Sequence, residues 1–338
     1  MERRTKLIIA AGLGLLLVSM LLALCLGHFR IDIKMLWQYI ISAVRGEIPS
    51  DLPPPVMVLW SVRLPRILMA VLVGAALSTA GAVFQGLFRN PLVSPGILGV
   101  TSGASFGAAL AIITIGDSAL AIELFAFSGG LAAVILAYQI GRRGGNSVTS
   151  LVLAGVIVSA LFMAGVAFLQ FKADPYLQLP AIVFWTMGSF NKVIWTDALR
   201  GAILICGGLL GIYLVRWWLN PLALGDEEAR TLGVDVGKAR IIYILLATLI
   251  VAAAIASCGN IGWVGLVVPH MARLIVGPDH DVLIPFSAVL GGLFMLYMDT
   301  LTRTLPGGEV PVGVLTAFVG APFFAYLLIK TESGTWQN

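Results

Sequence analysis

Charge is the scarcest property of this sequence. Only 11% of its 338 residues are Asp, Glu, Lys or Arg, while 59% are hydrophobic. Water-soluble chains carry about 25% charged and about 45–50% apolar residues. A soluble globule is therefore excluded, and a polytopic membrane protein is implied. Cysteine is equally thin. Cys25, Cys206 and Cys258 all lie in apolar runs, with neither metal-ligand spacing nor an evident pairing, so they read as small buried hydrophobes. The three histidines, His28, His270 and His280, form no His-x-x-x-His or Cys/His set, which removes the usual metal and hydrolytic constellations. No basic patch is interleaved with aromatics, so nucleic acid is not a partner. No run of roughly ten-residue alternating segments suggests a barrel.

What the chain does have is long continuous apolar runs. With about 20 residues per crossing and short loops, its length fits roughly ten helices. The runs are 7–26, 63–88, 97–115, 120–140, 149–171, 194–218, 241–258, 261–275 (interrupted by Pro269), 282–301 and 310–330. The first follows Arg3, Arg4 and Lys6. It is longer than the 7–15 apolar residues of a signal peptide and reads as a retained span. Residues 28–60 and 172–190, with Pro49, Asp174 and Pro180, read as external segments, the latter a loop or short helix. An inside N-terminus puts twelve of the 21 Lys and Arg inside and nine outside, a weak positive-inside bias. Both termini are then cytoplasmic.

One stretch breaks the apolar pattern. From Asp226 to Arg240, seven of fifteen residues are charged. A charge at the bilayer centre costs about 2.5–3.5 kcal/mol on insertion scales, so this stretch lies in water. Within it, Gly233-Val-Asp-Val-Gly-Lys238-Ala imitates a phosphate-binding loop. It has three residues between the glycines where that loop needs four, and Ala239 where it needs Ser or Thr. This chain reads as binding no nucleotide and no cofactor. Intramembrane acids are few. Glu123 lies near a span end, and Asp299 precedes Arg303 by four residues, the spacing of an intrahelical ion pair. So little ionisable machinery points to an outside energy source.

Several blocks together resemble a known family. They are Arg63-Leu-Pro-Arg66, Gly81-x-x-x-Gln85, Arg89-Asn-Pro-Leu92, Pro95-Gly-Ile-Leu-Gly99 and Leu151-Val-Leu-Ala-Gly155. They continue as Trp185-x-Met-Gly188, Glu228-Ala-Arg230-x-Leu-Gly233, Val267-Val-Pro-His270, Asp299-x-x-x-Arg303, Glu309-Val-Pro-Val-Gly313 and Gly320-Ala-Pro-Phe323. In this order they resemble the FecCD-type permeases, membrane subunits of ABC importers for iron–siderophores, haem and cobalamin. The resemblance covers nearly the whole chain.

It implies an all-α polytopic membrane protein: a single transmembrane permease domain of about ten helices with the BtuC-like fold, in the cell (inner) membrane. The implied partners are a second permease subunit in a homodimer, two cytoplasmic ATPase subunits that hold ATP and Mg, and an extracytoplasmic substrate-binding protein. Residues 219–240 match the family's coupling segment, with Glu227, Glu228, Ala229, Arg230, Leu232 and Gly233 at its core. Arg63, Arg66 and Arg303 match arginines that meet acidic residues on the binding protein, a task suited to the planar guanidinium fork. Asn146, Ser147, Val148 and Thr149 match the position of a cytoplasmic gate.

The expected cargo is a metal chelate, foremost an iron–siderophore, with haem or cobalamin as alternatives. An oxyanion such as molybdate is a further possibility. An ion-coupled secondary carrier is the competing class, and it would depend on Asp299 and Glu123.

Overall fold

The computed structural model describes residues 2–27, 41, 54–145, 147–306 and 308–331, which are helical throughout apart from their connections. Residues 28–40 and 42–53, which hold most of the expected first external segment, lie outside this description, as does Asn146.

The helices follow the apolar runs. α1 is Glu2–Cys25. A helix starting at Pro54 passes through a π-helical turn, Leu59–Arg63, and continues as α2, Leu64–Leu87. Then come α3 (Val100–Thr114), α4 (Ala119–Arg143), α5 (Val148–Lys172), the short α6 (Gln178–Met187) and α7 (Trp195–Val215). Two short helices, α8 (Leu219–Leu224) and α9 (Asp226–Thr231), carry the polar stretch. The chain returns through α10 (Val236–Cys258), α11 (Val264–Val276), α12 (His280–Thr304) and α13 (Val312–Thr331). Seven of these segments are long and apolar enough to cross a membrane. Adding the shorter α3, α11 and α13 gives the ten expected from the sequence. The fourth short apolar helix, α6, resolves the 172–190 segment as a helix rather than a loop.

α2 is the centre of the bundle. It packs against α12, α10, α11 and α7, and 83% of its most apolar window is buried, against 22% for α4. The reason is side-chain size. Gly74 to Ala82 contains only glycine, alanine, serine, threonine and one leucine. Helices in lipid associate by close van der Waals approach rather than by escape from water. At Gly74 the approach leaves no room for a side chain, since a Cβ there would lie 2.1 Å from the Gly291 carbonyl oxygen of α12. Nearby, the buried Ser78 hydroxyl donates to the Ser287 carbonyl at 2.6 Å. α2 and α12 are thus locked along their length. The helices outside this pair, α1, α4, α5 and α7, expose large apolar side chains such as Leu17, Leu124, Leu161 and Ile203, as surfaces facing lipid or another subunit do.

Candidate functional site

At one end of the bundle, α8 and α9 form a hook between the long helices α7 and α10. Asp226, Glu227 and Glu228 fill the first turn of α9, where the unpaired N–H groups favour negative charge. Gly233 ends the helix in the left-handed region, φ 83°. Its N–H donates to the Arg230 carbonyl at 3.0 Å, and the Val234 N–H donates to that of Ala229 at 2.9 Å. This pair of bonds is a Schellman motif, completed by apolar contact between its two ends. Here those ends are Val234 and Ala229, both buried.

The chain re-enters helix at once. Asp235 caps α10 by accepting from the Lys238 N–H at 3.1 Å. That bond, with help from the Lys238 ammonium, holds the Asp235 carboxyl below its usual range, so the cap stays ionised at neutral pH. Asp226 accepts from Arg240 at 3.0 Å, which staples α9 to the first turns of α10.

The sequence-predicted coupling residues therefore divide. Glu227, Glu228, Arg230, Leu232 and Gly233 are exposed. Ala229 is fully buried and serves as the packing contact beneath the turn, not as part of the presented surface. Glu228 folds its carboxylate back over Gly225, where a Cβ would lie 2.0 Å from its Oε2. Leu232, 61% exposed, is the apolar knob of the hook.

The opposite end gathers the predicted arginines, but not as free surface groups. Arg63, Arg66 and Arg303 are only 4%, 5% and 4% exposed. Arg66 Nε donates to Asp299 Oδ1 at 2.8 Å, and its Nη1 reaches Glu309 Oε2 at 2.9 Å. Arg303 Nε lies 3.1 Å from Asp299 Oδ2, so the expected i,i+4 pair exists. It does so as a Coulombic contact without hydrogen-bond alignment. Arg63 donates to the Leu24 carbonyl and Arg303 to the Leu26 carbonyl, the latter at 3.3 Å. These are end-of-helix carbonyls of α1 that lack intrahelical donors. Arg66 and Arg303 thus share Asp299, Arg66 also reaches Glu309, and Arg63 and Arg303 hold the end of α1, so that α1, α2, α12 and the approach to α13 are tied together. The arginines that the resemblance assigns to the binding protein are therefore buried and partnered within this chain, and desolvating so many charges is tolerable only because carboxylates and helix-end carbonyls satisfy them. Glu309, with a side chain 30% exposed, is the accessible edge of this cluster.

The other lone acid is also paired. Glu123 accepts from Arg200 at 2.7 Å, and Arg200 also holds Asp197 at 2.6 Å. Both acids that a secondary carrier would use are committed to arginine.

Of the predicted gate residues, Asn146 lies outside the described chain. Ser147 caps α5, accepting from the Ser150 N–H at 3.1 Å. Val148 is half-buried, and Thr149 is exposed. Two cavities, of about 510 and 610 Å³, share Thr186 and Asn260. The first is faced by Thr101, Ser102, Ser105, Ser159 and Gln170, and among the described residues neither has a charged side chain in its wall.

A bundle of this kind, with a polar helical hook at one end and a buried charge cluster at the other, has the architecture of a polytopic membrane protein. A model of the FecCD transport family matches residues 15–330, and the chain belongs to that family; it is a permease of the ABC importer type. It is 41% identical over 331 residues to the molybdate import system permease protein MolB of Haemophilus influenzae, covering 96% of each chain. It is 39% identical over 298 residues to the cobalamin import system permease protein BtuC of Halobacterium salinarum, covering 88% of this chain and 80% of the relative. A solved structure described as an inward-facing conformation of a metal-chelate type ABC transporter superposes with a TM-score of 0.86 at 37% identity. That match covers 96% of this chain and 99% of the other.

The sequence alone did not reveal Glu309 as the partner of Arg66, 243 residues away. Its only signal was the acidic residue in the Glu309-Val-Pro-Val-Gly313 block.

Proposed function

We propose that this chain is the membrane-spanning half of an ATP-driven importer, paired with a second copy of itself. Two ATPase subunits that hold ATP and Mg engage the α8–α9 hook from the cytoplasm, the side of both termini. A substrate-binding protein delivers cargo at the arginine end. The observation that carries this reading is the hook itself. It is a charged, capped helical turn with an apolar knob at Leu232, held rigidly outside the bundle of a permease-family chain. Glu227, Glu228, Arg230 and Leu232 form the ATPase contact, and Ala229 and Gly233 give the turn its shape.

Docking of the binding protein centres on Glu309, the accessible edge of the cluster, with Arg66 buried behind it. Arg63 and Arg303 hold that edge in position from beneath. Ser147–Thr149 flank the cytoplasmic mouth.

The cargo is a metal-containing species that keeps its ligands during passage. A bare divalent cation would need anionic or imidazole ligands. Among the described residues these two cavities offer neither, and the acids bordering a third cavity of about 530 Å³, Asp117, Glu123 and Asp197, are paired with Lys192 and Arg200. An iron–siderophore is the first reading, with haem and cobalamin beside it, in keeping with the metal-chelate structural neighbour. Molybdate is a second reading, favoured by the 41% identity to MolB. The test is uptake into proteoliposomes bearing the complete complex. Ferric siderophore, haem, cobalamin and molybdate are supplied singly and in competition. ATP-dependent accumulation of one of them is expected. Accumulation driven by an ion gradient without ATP would overturn the importer reading.

A further inference from the structure

The hook does more than sit beside the bundle, because two of its side chains grip the first turn of α12. Asn220, on α8, uses its whole amide for this. Its Nδ2 donates to Asp279 Oδ1 at 2.8 Å. Its Oδ1 accepts from the His280 N–H at 2.8 Å and faces His280 Nδ1 at 2.9 Å. The backbone N–H can only donate, so the atom facing it is the amide oxygen, and His280 Nδ1 must carry the ring proton. Asp279 is also the N-cap of α12, accepting from the Asp281 N–H at 3.0 Å. One side chain of α8 therefore holds both the cap residue and the first residue of α12.

Arg216 adds a second grip from the 3₁₀ turn that precedes α8. Its Nε donates to the Asp281 carbonyl at 3.3 Å, and it also pairs with the Asp281 carboxylate at 3.3 Å. That carbonyl needs an outside donor. Residue 285, which would normally supply the N–H four positions on, is Pro285 and has none. The proline thus opens a socket in α12, and Arg216 fills it.

What α12 receives, it passes on. His280 lies against the last turn of α2, where a Cβ on Gly86 would sit 2.6 Å from its Nε2. α12 then runs along α2, locked at Gly74–Gly291, to Asp299 and Arg303 at the far end. α9 is fastened to α10 by Asp226–Arg240, so the hook has two feet, one on α10 and one on α12.

We infer that Asn220 is a positioning residue for transport: it is the joint through which α8 and the first turn of α12 move as one, linking the ATPase-facing hook to the arginine end. This rests on the importer reading above. Coupling between distant sites needs a physical element that both ends bias. α12 is such an element, held by Asn220 at its first turn and carrying Asp299 and Arg303 at its last turns.

The test uses the complex purified through this chain and reconstituted with its binding protein. The readout is the ratio of binding-protein-stimulated to basal ATP hydrolysis, with thermal melting alongside. Asn220→Asp keeps the acceptor for His280 but sets two carboxylates against each other at Asp279. The ratio is expected to fall about tenfold, within the usual range of a coupling energy. Adding Asp279→Ser removes the second carboxylate and supplies a hydroxyl, which can accept from the Asp281 N–H while donating to the carboxylate at position 220, and the double variant should recover to within about twofold of the unmodified complex. The inference is overturned by an unchanged ratio in Asn220→Asp. It is equally overturned by a fall in melting temperature or assembly that takes basal and stimulated hydrolysis down together, or by a double variant that does not recover. If the unmodified complex shows no ATP-driven uptake at all, it is the importer reading that fails.

Discussion

Replacing Asp299 by Asn is expected to be the most damaging single change to stability in this chain, at about 3–5 kcal/mol. Asp299 is 0% exposed and is the one carboxylate shared by Arg66 and Arg303. Its loss leaves two buried guanidinium groups facing each other with only Glu309 to divide between them. The asparagine fills the same volume, so the cost is one of charge rather than packing. Glu309→Gln makes the contrast. That side chain is 30% exposed, and the buried Arg66 keeps Asp299 as a partner, so the effect falls between that of an exposed pair and a buried one, at about 1–2 kcal/mol. Thermal melting of both variants in detergent checks this ordering. Equal melting of Asp299→Asn and the unmodified protein would show that the cluster is not the clasp described above.

The largest expected effect on activity lies at the other end. Reversing Glu228 and Arg230 together, to Lys and Glu, should abolish ATP-driven uptake. Binding of the substrate-binding protein to the complex should remain. The net charge of the hook is unchanged by this exchange, so any loss reports the arrangement of charges and not their sum. Both residues are exposed, and the buried side of the turn rests on Ala229, Val234 and Gly233; retained binding-protein binding and assembly report that the fold survives the loss of the Glu228 charge from the first turn of α9. A truncated interfacial charge pair commonly costs 2–5 kcal/mol of affinity, enough to release a partner held at micromolar strength. Normal uptake by the double reversal would remove Glu228 and Arg230 from the ATPase contact.

Much of this molecule was legible in the sequence because the bilayer imposes a local rule. An apolar run of the right length must become a helix, since no other segment satisfies its backbone in lipid. α10 was read as 241–258 and is Val236–Cys258, and α5 was read as 149–171 and is Val148–Lys172. The early starts have the same cause: Asp235 and Ser147 are N-caps, and each helix begins at the residue that follows its cap. The Asp299–Arg303 pair was legible for the same local reason, four residues being one helical turn.

Partners chosen by tertiary packing were not legible. Nothing in the sequence says that Arg66 meets Glu309 or that Asn220 meets Asp279 and His280. Those meetings depend on which helices α2 and α8 lie against. The burial of the three arginines was missed on the same grounds. A charged residue at a span end reads as wet until its carboxylate partners are placed around it.

The proposed contact between the α8–α9 hook and the ATPase on the cytoplasmic face can be probed most directly at Leu232, the exposed knob of the hook. A photo-crosslinking residue placed there, in cells making the whole complex, is predicted to capture the ATPase subunit. Leu232→Cys in a background lacking Cys25, Cys206 and Cys258 should in turn resist a membrane-impermeant maleimide applied to intact cells. Labelling of that cysteine from outside, or capture of the binding protein in place of the ATPase, would contradict the account.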